Sequence, residues 1–356
     1  MDCDFLIVGG GIAGVSAAAR LAPLGQVLLL EAEDHLAHHA SGRSAALYEP
    51  RYGAPAVVAL SLATGEDLHA REVLSPRGLL MVAGVEDGPF DAEAARMELA
   101  PVTVAEARAM VPILKAEAVR RAAYADHAWD IDTDRLVQSF AREAKAAGAR
   151  IVTGARVAAL SRGAEGWLAE TAKGGFTGRI LVNAAGAWVD EVARMAGLRP
   201  LGFTPLRRSM ARIPAPAGQE VARWPMVFGT GETWYMKPDA GALIVSPAEE
   251  DAMEPHDAWA DDMVLAEGLA RYEEFVTEPV TRLLASWAGL RTFAPDRVPV
   301  IGFDPADRAF FWLAGQGGYG FQSCGAASRL AADLIAGRQS ALDAGLIAAL
   351  SPARFG

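Results

Sequence analysis

Residues 5–31 constrain the fold more than any other stretch of the chain. Phe5-Leu6-Ile7-Val8 is a short apolar run closed by glycines, which reads as a buried strand. Gly9-x-Gly11-x-x-Gly14 follows. The alanine-rich segment from Gly14 to Leu21 permits a helix, and Gln26 to Leu30 is a second apolar run closed by Glu31. A β-turn-α-β unit is expected. Gly9 permits the tight turn, Gly11 lets backbone approach a pyrophosphate, and Gly14 allows close helix–strand packing. The anion would sit at the helix N-terminus, where free N–H groups and the helix dipole favour negative charge. Glu31 is placed to accept from ribose hydroxyls and to repel a 2′-phosphate. A glycine-rich turn that merely packs is the plain alternative, and the register of strand, helix, strand and acid argues against it.

The rest of the chain extends this unit. Residues 134–147 are amphipathic, with Leu136, Phe140 and Ala144 on one side and Gly148 as the C′ residue. Strands are expected at Leu79–Ala83, Arg150–Val152, Arg179–Val182 and Phe310–Gly315, and a hairpin at Trp167–Phe176. Helices are expected near Ala105–Met110 and over Gln322–Ile335. Residues 200–290 carry many prolines between short apolar runs, which suits an antiparallel sheet. The expected class is α/β, with an α+β second part. A Rossmann-like dinucleotide-binding domain would span 1–75, 130–198 and 288–356. An interleaved antiparallel-sheet substrate domain would span 76–129 and 199–287.

Composition narrows the partners. Net charge is −11 without a basic run, which excludes nucleic acid and anionic membrane surfaces as expected partners. The 356 residues are 52% hydrophobic, enough to bury a sizeable core. Two cysteines, Cys3 and Cys324, make no disulfide framework and suit a reducing compartment. The first apolar run is shorter than a signal-peptide core, and no run reaches bilayer-spanning length. A cytoplasmic protein without a transmembrane segment is expected. The histidines, including His38 and His39, show no metal-ligand spacing, so no metal is assigned.

Two downstream segments bear on the choice between nicotinamide and flavin. Ala40 to Ala46 is small and polar with one arginine, suited to wrapping a diphosphate and a flavin edge. Gly315-Gln316-Gly317-Gly318-Tyr319-Gly320 opens another helix, whose N-terminus would stabilise an anionic reduced flavin. Two such helix starts, some three hundred residues apart, fit an extended cofactor touched at both ends.

The chain resembles the D-amino acid oxidase superfamily of FAD-dependent amine and amino-acid oxidoreductases, and within it the bacterial D-arginine dehydrogenase type. The matching stretches are GGGIAG (9–14), SGRSAALYEPRYG (41–53), LSPR (74–77), DIDTD (130–134), LVNAAGAW (181–188), RPLGFTPLRRS (199–209), WPM (224–226), YMKPDAG (235–241), WAGLR (287–291) and GQGGYGFQ (315–322). They keep their order over nearly the whole chain. The resemblance implies non-covalent FAD and oxidation of a D-amino acid to the imino acid, which water converts to a 2-oxo acid and ammonia.

It also implies site residues. Arg291 would clamp the substrate carboxylate with its planar fork, and Arg208 would be a second cation. Tyr235 and Tyr52 would donate phenols to the same carboxylate. Cofactor contacts would come from Gly9, Gly11, Ile12, Ala13, Gly14, Glu31 and Ala32. Ser41, Gly42, Arg43, Ser44, Ala45 and Ala46 would add to them, as would Val157, Ala185, Gly186 and Trp188. Arg291 and the run Gly317, Gly318, Tyr319, Gly320, Phe321 and Gln322 would complete the set. Gly318 would also face the substrate.

Family members acting on D-arginine and D-lysine carry a glutamate in the strand after the LSPR-like segment. This chain has Gly78-Leu79-Leu80-Met81 there, and Leu47 where they carry a histidine. A buried cationic side chain without a partner is costly. The expected substrate side chain is therefore apolar or aromatic, against Leu47, Leu79, Leu80 and Met81, with Glu49 and Arg51 able to supply charge from the loop above. The alternatives are a secondary-amine or imino-acid enzyme acting on sarcosine- or proline-like substrates, and a non-catalytic dinucleotide-binding protein. No residue distinguishes a quinone, a dye or oxygen as electron acceptor.

Overall fold

The computed structural model describes residues 1–86 and 88–356. Its first sheet has a parallel core in the order Arg150–Val152, Val27–Leu30, Cys3–Val8, Gly174–Asn183, Phe310–Ala314. Alternation along the strand Cys3–Val8 sends Phe5 and Ile7 to one face and Leu6 and Val8 to the other, each into its own apolar layer. Burial on both faces is why these strands read as unbroken apolar runs. The helices Ile12–Leu21, Thr133–Ala146 and Gly320–Ile335 cover the Ile7 face, the first packing against each of the other two. Gly148 closes the second of them at φ +91°, a C′ conformation that glycine adopts without a Cβ clash.

The second sheet joins Leu79–Ala83, Arg121–Ala125, Thr204–Pro214, Met226–Gly229, Tyr235–Asp239, Ala242–Ser246 and Ala285–Phe293 with two short edge strands. It is antiparallel except for one parallel pair, Met226–Gly229 with Leu79–Ala83. Ala285–Phe293 pairs with Thr204–Pro214 from Phe293 opposite Thr204 to Ala285 opposite Arg212. The expected boundary at 287/288 falls inside that strand, whose hydrogen bonds place it in the second sheet.

Two long helices lie outside the expectation, as do the short ones Phe90–Arg96, Val189–Met195 and Ala344–Leu350. Pro55–Ala70 buries Val57, Leu60 and Leu68, but also Ser61, Thr64 and Gly65, so its buried face carries little apolar periodicity. Asp262–Phe275 buries Leu265, Gly268 and Tyr272, and its N-cap Asp261 accepts from the N–H groups of Met263 and Val264. Gly268 hides the stripe, because a Cβ there would lie 2.2 Å from Pro247. The SGRS segment contains the 3-10 turn Ala40–Arg43. The last long helix starts at Gly320, two residues before expectation. No helix among the described residues is long and apolar enough to cross a membrane.

Candidate active site

Three cavities run end to end along the junction of the two sheets. The first, about 240 Å³, lies against the Gly9–Gly11 turn and Glu31. The second, about 120 Å³, shares Gly11, Ser41, Arg43 and Gly186 with the first. The third, about 90 Å³, shares Ser44, Arg208, Arg291 and Gly318 with the second. The result is a long slot with the glycine turn at one end.

The turn is built as its spacing predicts. Gly9 has φ +109°, and a Cβ there would lie 2.4 Å from the Ala184 carbonyl oxygen. A Cβ on Gly14 would lie 1.9 Å from the Gly9 carbonyl oxygen. At Gly11 the only neighbour within 4 Å would be Ser41 Oγ, at 3.1 Å. Its open side faces the cavity. The first N–H groups of a helix have no partner within it, and here Ile12 N–H donates to Ser41 Oγ at 3.0 Å. Open space beside Gly11 and first-turn donors fit a diphosphate. Glu31 lines the same cavity while bracing the turn: Oε2 accepts from Gly10 N–H at 2.5 Å and Oε1 from Glu33 N–H at 2.8 Å.

Ala32, Val157, Ala185 and Trp188 line the first cavity as well. Ile12, Ala13, Gly317, Gly320 and Phe321 line the second. Gly317 sits at φ +50°, and a Cβ on it would lie 2.2 Å from the Phe293 ring. Arg43 lines both cavities, but its guanidinium is committed: Nη1 donates to the carbonyls of Ala258 at 2.6 Å and Ala288 at 2.9 Å, and Nη2 pairs with Asp257. It fastens the 256–258 loop over the slot. Glu33, His38 and His39 converge, with ligand atoms within 4.8 Å of one another. Spacing did not reveal this because the turn that folds them together is irregular. The group is internally paired, His39 Nε2 lying 3.0 Å from Glu33 and Arg156 2.8 Å from the same carboxylate.

Some expected cofactor contacts lie elsewhere. Ala45, Ala46 and Gln322 line the third cavity instead. Ala46 is held at φ +59°, in the left-handed region alanine rarely adopts, with its N–H on Ser44 Oγ at 3.0 Å. Gln322 ties helix to loop, accepting from Glu49 N–H at 3.3 Å and donating to the Tyr52 carbonyl at 3.4 Å. Gly14, Gly42 and Tyr319 line none of the three cavities. Gly14 and Gly42 make close backbone approaches, and Tyr319 packs on Tyr52 and Phe293.

Arg291 and Arg208 come together by strand register. Arg291 stands opposite Leu206 and Arg208 opposite Gly289, so the two arginines share a face one pair apart. Arg207 points to the other face, within 2.7 Å of Asp251. Arg208 is 3% exposed; Nε donates to the Glu249 carbonyl at 2.9 Å, Nη2 reaches Glu250 at 3.3 Å, and Nη1 is buried without a partner. No described residue forms a hydrogen bond or ion pair with the Arg291 guanidinium, which lies over Gly318. Burial alone would pull its pKa down; the Tyr235 and Tyr52 phenols and the Glu232 carboxylate outweigh burial and raise it. The charge therefore stays on.

The tyrosines divide. Tyr235 reaches only the thioether of Met210, 3.3 Å away, which is a weak acceptor. Tyr52 donates to Glu232 at 2.7 Å rather than standing free. Burial, and then the Glu232 charge, hold its pKa well above the ordinary phenol value, so it remains a donor.

Around them, Leu47, Leu79, Met97, Met226 and Phe228 form apolar wall. Leu80 is a correction. It alternates to the opposite face of its strand and packs with Val227 and Trp234. Met81 shares the Leu79 face but sits behind the wall, beside Phe228. The pocket is also not uniformly apolar, since Glu49 and Glu232 line it. Met97, Met226, Phe228 and Glu232 went unread in the sequence, because only the pairing of distant strands, the Thr230–Glu232 turn and the end of the helix Phe90–Arg96 bring them here.

A model of the DAO family, FAD dependent oxidoreductase, matches residues 4–334. The chain belongs to this family. Its cofactor is FAD. A glycine oxidase of Geobacillus kaustophilus is 24% identical over 96% of this chain and 94% of its own. The crystal structure of glycine oxidase from that organism superposes with a TM-score of 0.84, at 23% identity over 98% of each chain. L-proline dehydrogenase from P. horikoshii superposes with a TM-score of 0.85, at 22% identity over 99% of this chain and 97% of that one. A tRNA 5-methylaminomethyl-2-thiouridine biosynthesis bifunctional protein of Burkholderia thailandensis is 29% identical over 84% of this chain. The chain spans about half of that relative's length, 48%.

Cys324 bears on how this FAD family member holds its cofactor. It is 3% exposed inside the helix Gly320–Ile335 and lines none of the three cavities. Burial pushes its thiol pKa up to about 12. A buried, protonated thiol is a poor attachment point. Acid precipitation is expected to release the yellow chromophore into the supernatant, and a yellow pellet would show a covalent bond.

Proposed function

We propose that this chain oxidises a free amino acid, of the D configuration, to the imino acid, which water then converts to a 2-oxo acid and ammonia. The observation that carries this reading is the Arg291 guanidinium, charged and without a partner among the described residues, at the junction of the second and third cavities. Arg291 is half-buried in the cavity wall, and an unpaired guanidinium held there suits an anionic ligand. A carboxylate matches the planar fork in both geometry and charge. Arg208 Nη1 is the next free donor, and the Tyr235 hydroxyl is held only by the weak acceptor Met210 Sδ.

When bound, FAD supplies the two-electron acceptor for the hydride that leaves the substrate Cα. The rest falls to this chain's residues. The arginine pair fixes the carboxylate and so the direction of the Cα–H bond. Leu47, Leu79, Met226 and Phe228 exclude water and cover an apolar stem of the side chain. Tyr52, held by Glu232 and packed edge-on at 5.4 Å against Tyr319, closes the loop side. The amine must be neutral for hydride to leave, and a proton lost to bulk water suffices.

Anaerobic bleaching of the flavin, screened over D- and L-amino acids, sarcosine and proline, tests the reading. Bleaching by D-amino acids is expected. The absence of bleaching by any of them would leave a nucleotide-binding role. A secondary-amine substrate is the second reading, favoured by Leu47 on the wall of the third cavity, where the resemblance implies a histidine, and by the fold shared with L-proline dehydrogenase; bleaching by sarcosine or proline alone would select it. The electron acceptor is expected to be a quinone, an artificial dye or oxygen.

A further inference from the structure

Three charged residues that the proposed reaction does not use meet behind the third cavity, one each from LSPR, DIDTD and YMKPDAG. Asp130 Oδ2 accepts from Arg77 Nε at 2.8 Å and also from Arg77 Nη2, while Oδ1 accepts from Lys237 Nζ at 2.8 Å. Arg77 Nη1 donates to the carbonyls of Ala222 at 2.8 Å and Trp224 at 2.7 Å. Lys237 is 5% exposed, and among the described residues its ammonium has no partner but Asp130. None of the three side chains lines the slot.

Each arm of this network ends beside a different wall of the third cavity. Leu79 lies two residues after Arg77, and Met226 two after Trp224. Tyr235 lies two before Lys237, on the same face of their strand. Leu47 stands opposite Asp130 in the small sheet formed by Leu47–Tyr48, Leu74–Pro76 and Trp129–Ile131. Leu47, Leu79, Met226 and Tyr235 all line the cavity. The network therefore joins the small sheet to the second sheet just where both supply wall. Charge-assisted hydrogen bonds fix direction as well as distance. Small displacements of positioning groups are enough to change how a substrate sits.

We propose that Arg77, Asp130 and Lys237 are positioning residues: a buried charged frame, outside the slot, that sets the spacing of the cavity walls and so the choice among substrate side chains. This rests on the amino-acid reading above.

Two variants test it in the FAD-loaded protein. Lys237→Met puts an apolar chain in place of the buried cation and leaves Arg77 with Asp130, an exchange that folds often tolerate. Arg77→Lys keeps a charge beside Asp130 and loses the fork that reaches Ala222 and Trp224. Steady-state rates are measured on D-valine, D-leucine, D-methionine and D-phenylalanine. The spread of kcat/KM between the best and the worst of the four is expected to narrow at least about threefold, through KM, with kcat and flavin content near wild type. A wild-type spread in either variant overturns the frame, so Arg77→Lys decides alone if Lys237→Met does not fold. Backbone hydrogen exchange reads the same frame without turnover. It is expected to quicken at Met226–Gly229 in Arg77→Lys and at Tyr235–Asp239 in Lys237→Met, and unchanged exchange there also overturns the frame. If no amino acid bleaches the wild-type flavin, the amino-acid reading fails, and the role in substrate choice falls with it whatever the exchange shows.

Discussion

Replacing Arg291 with methionine is expected to lower kcat/KM for amino acids by about 10³-fold. Methionine keeps much of the volume over Gly318 and removes the fork. The loss should appear because no other described group is positioned to take the whole carboxylate: Arg208 already spends Nε and Nη2 on Glu249 and Glu250. Arg291→Lys should recover only part of it, since a point charge cannot bind two oxygens in the same plane. Flavin content and the visible spectrum check that the cofactor remains seated. A loss below about tenfold with flavin in place would remove Arg291 from substrate binding.

Gly14→Ala and Gly11→Val are expected to fail in different ways. The first puts a methyl 1.9 Å from the Gly9 carbonyl oxygen, so helix and strand must separate. Overpacking of this kind costs about 1–3 kcal/mol or more, and the variant should lose both flavin and thermal stability. Gly11 lies at φ −74° and ψ −178°, a conformation valine accepts. Its new side chain would fill space assigned to the diphosphate. Gly11→Val should therefore lose flavin while the apoprotein's melting temperature stays close to wild type. Flavin-to-protein ratio and thermal unfolding of both apoproteins check the pair. Flavin binding by Gly11→Val at the wild-type level would contradict the assignment of the diphosphate to this turn.

Local order was legible wherever one sequence window held all the information. The turn from Gly9 to Gly14, the helix ending at Gly148 and the strand Phe310–Ala314 each carry their own start, periodicity and stop. The helices at Pro55–Ala70 and Asp262–Phe275 were not legible. Their buried faces carry serine, threonine and glycine where packing demands small side chains, and that erases the apolar stripe.

The site was legible in its residues more than in its partnerships. Arg291, Arg208 and Tyr235 are brought together, but the choice between Arg208 and Arg207 needed the strand's facing, which one residue of register reverses. Leu79 and Leu80 differ in the same way. Arg43 and Tyr52 were visible as polar residues near the slot. Their real partners, Asp257 and Glu232, come from segments about two hundred residues away, and no local pattern joins them. Glu49 was visible as a charge in a loop; its buried, unmet oxygen emerges only once His127 and the backbone of Arg51 have taken the other.

The central claim is that a carboxylate, gripped at Arg291, orients the bond that is oxidised. The most direct measurement is anaerobic stopped-flow reduction of the flavin by an amino acid and by the matching amine that lacks the carboxylate. The amino acid is predicted to reduce the flavin at least about 10³-fold faster at equal, subsaturating concentration. Equal rates for the two would contradict the account.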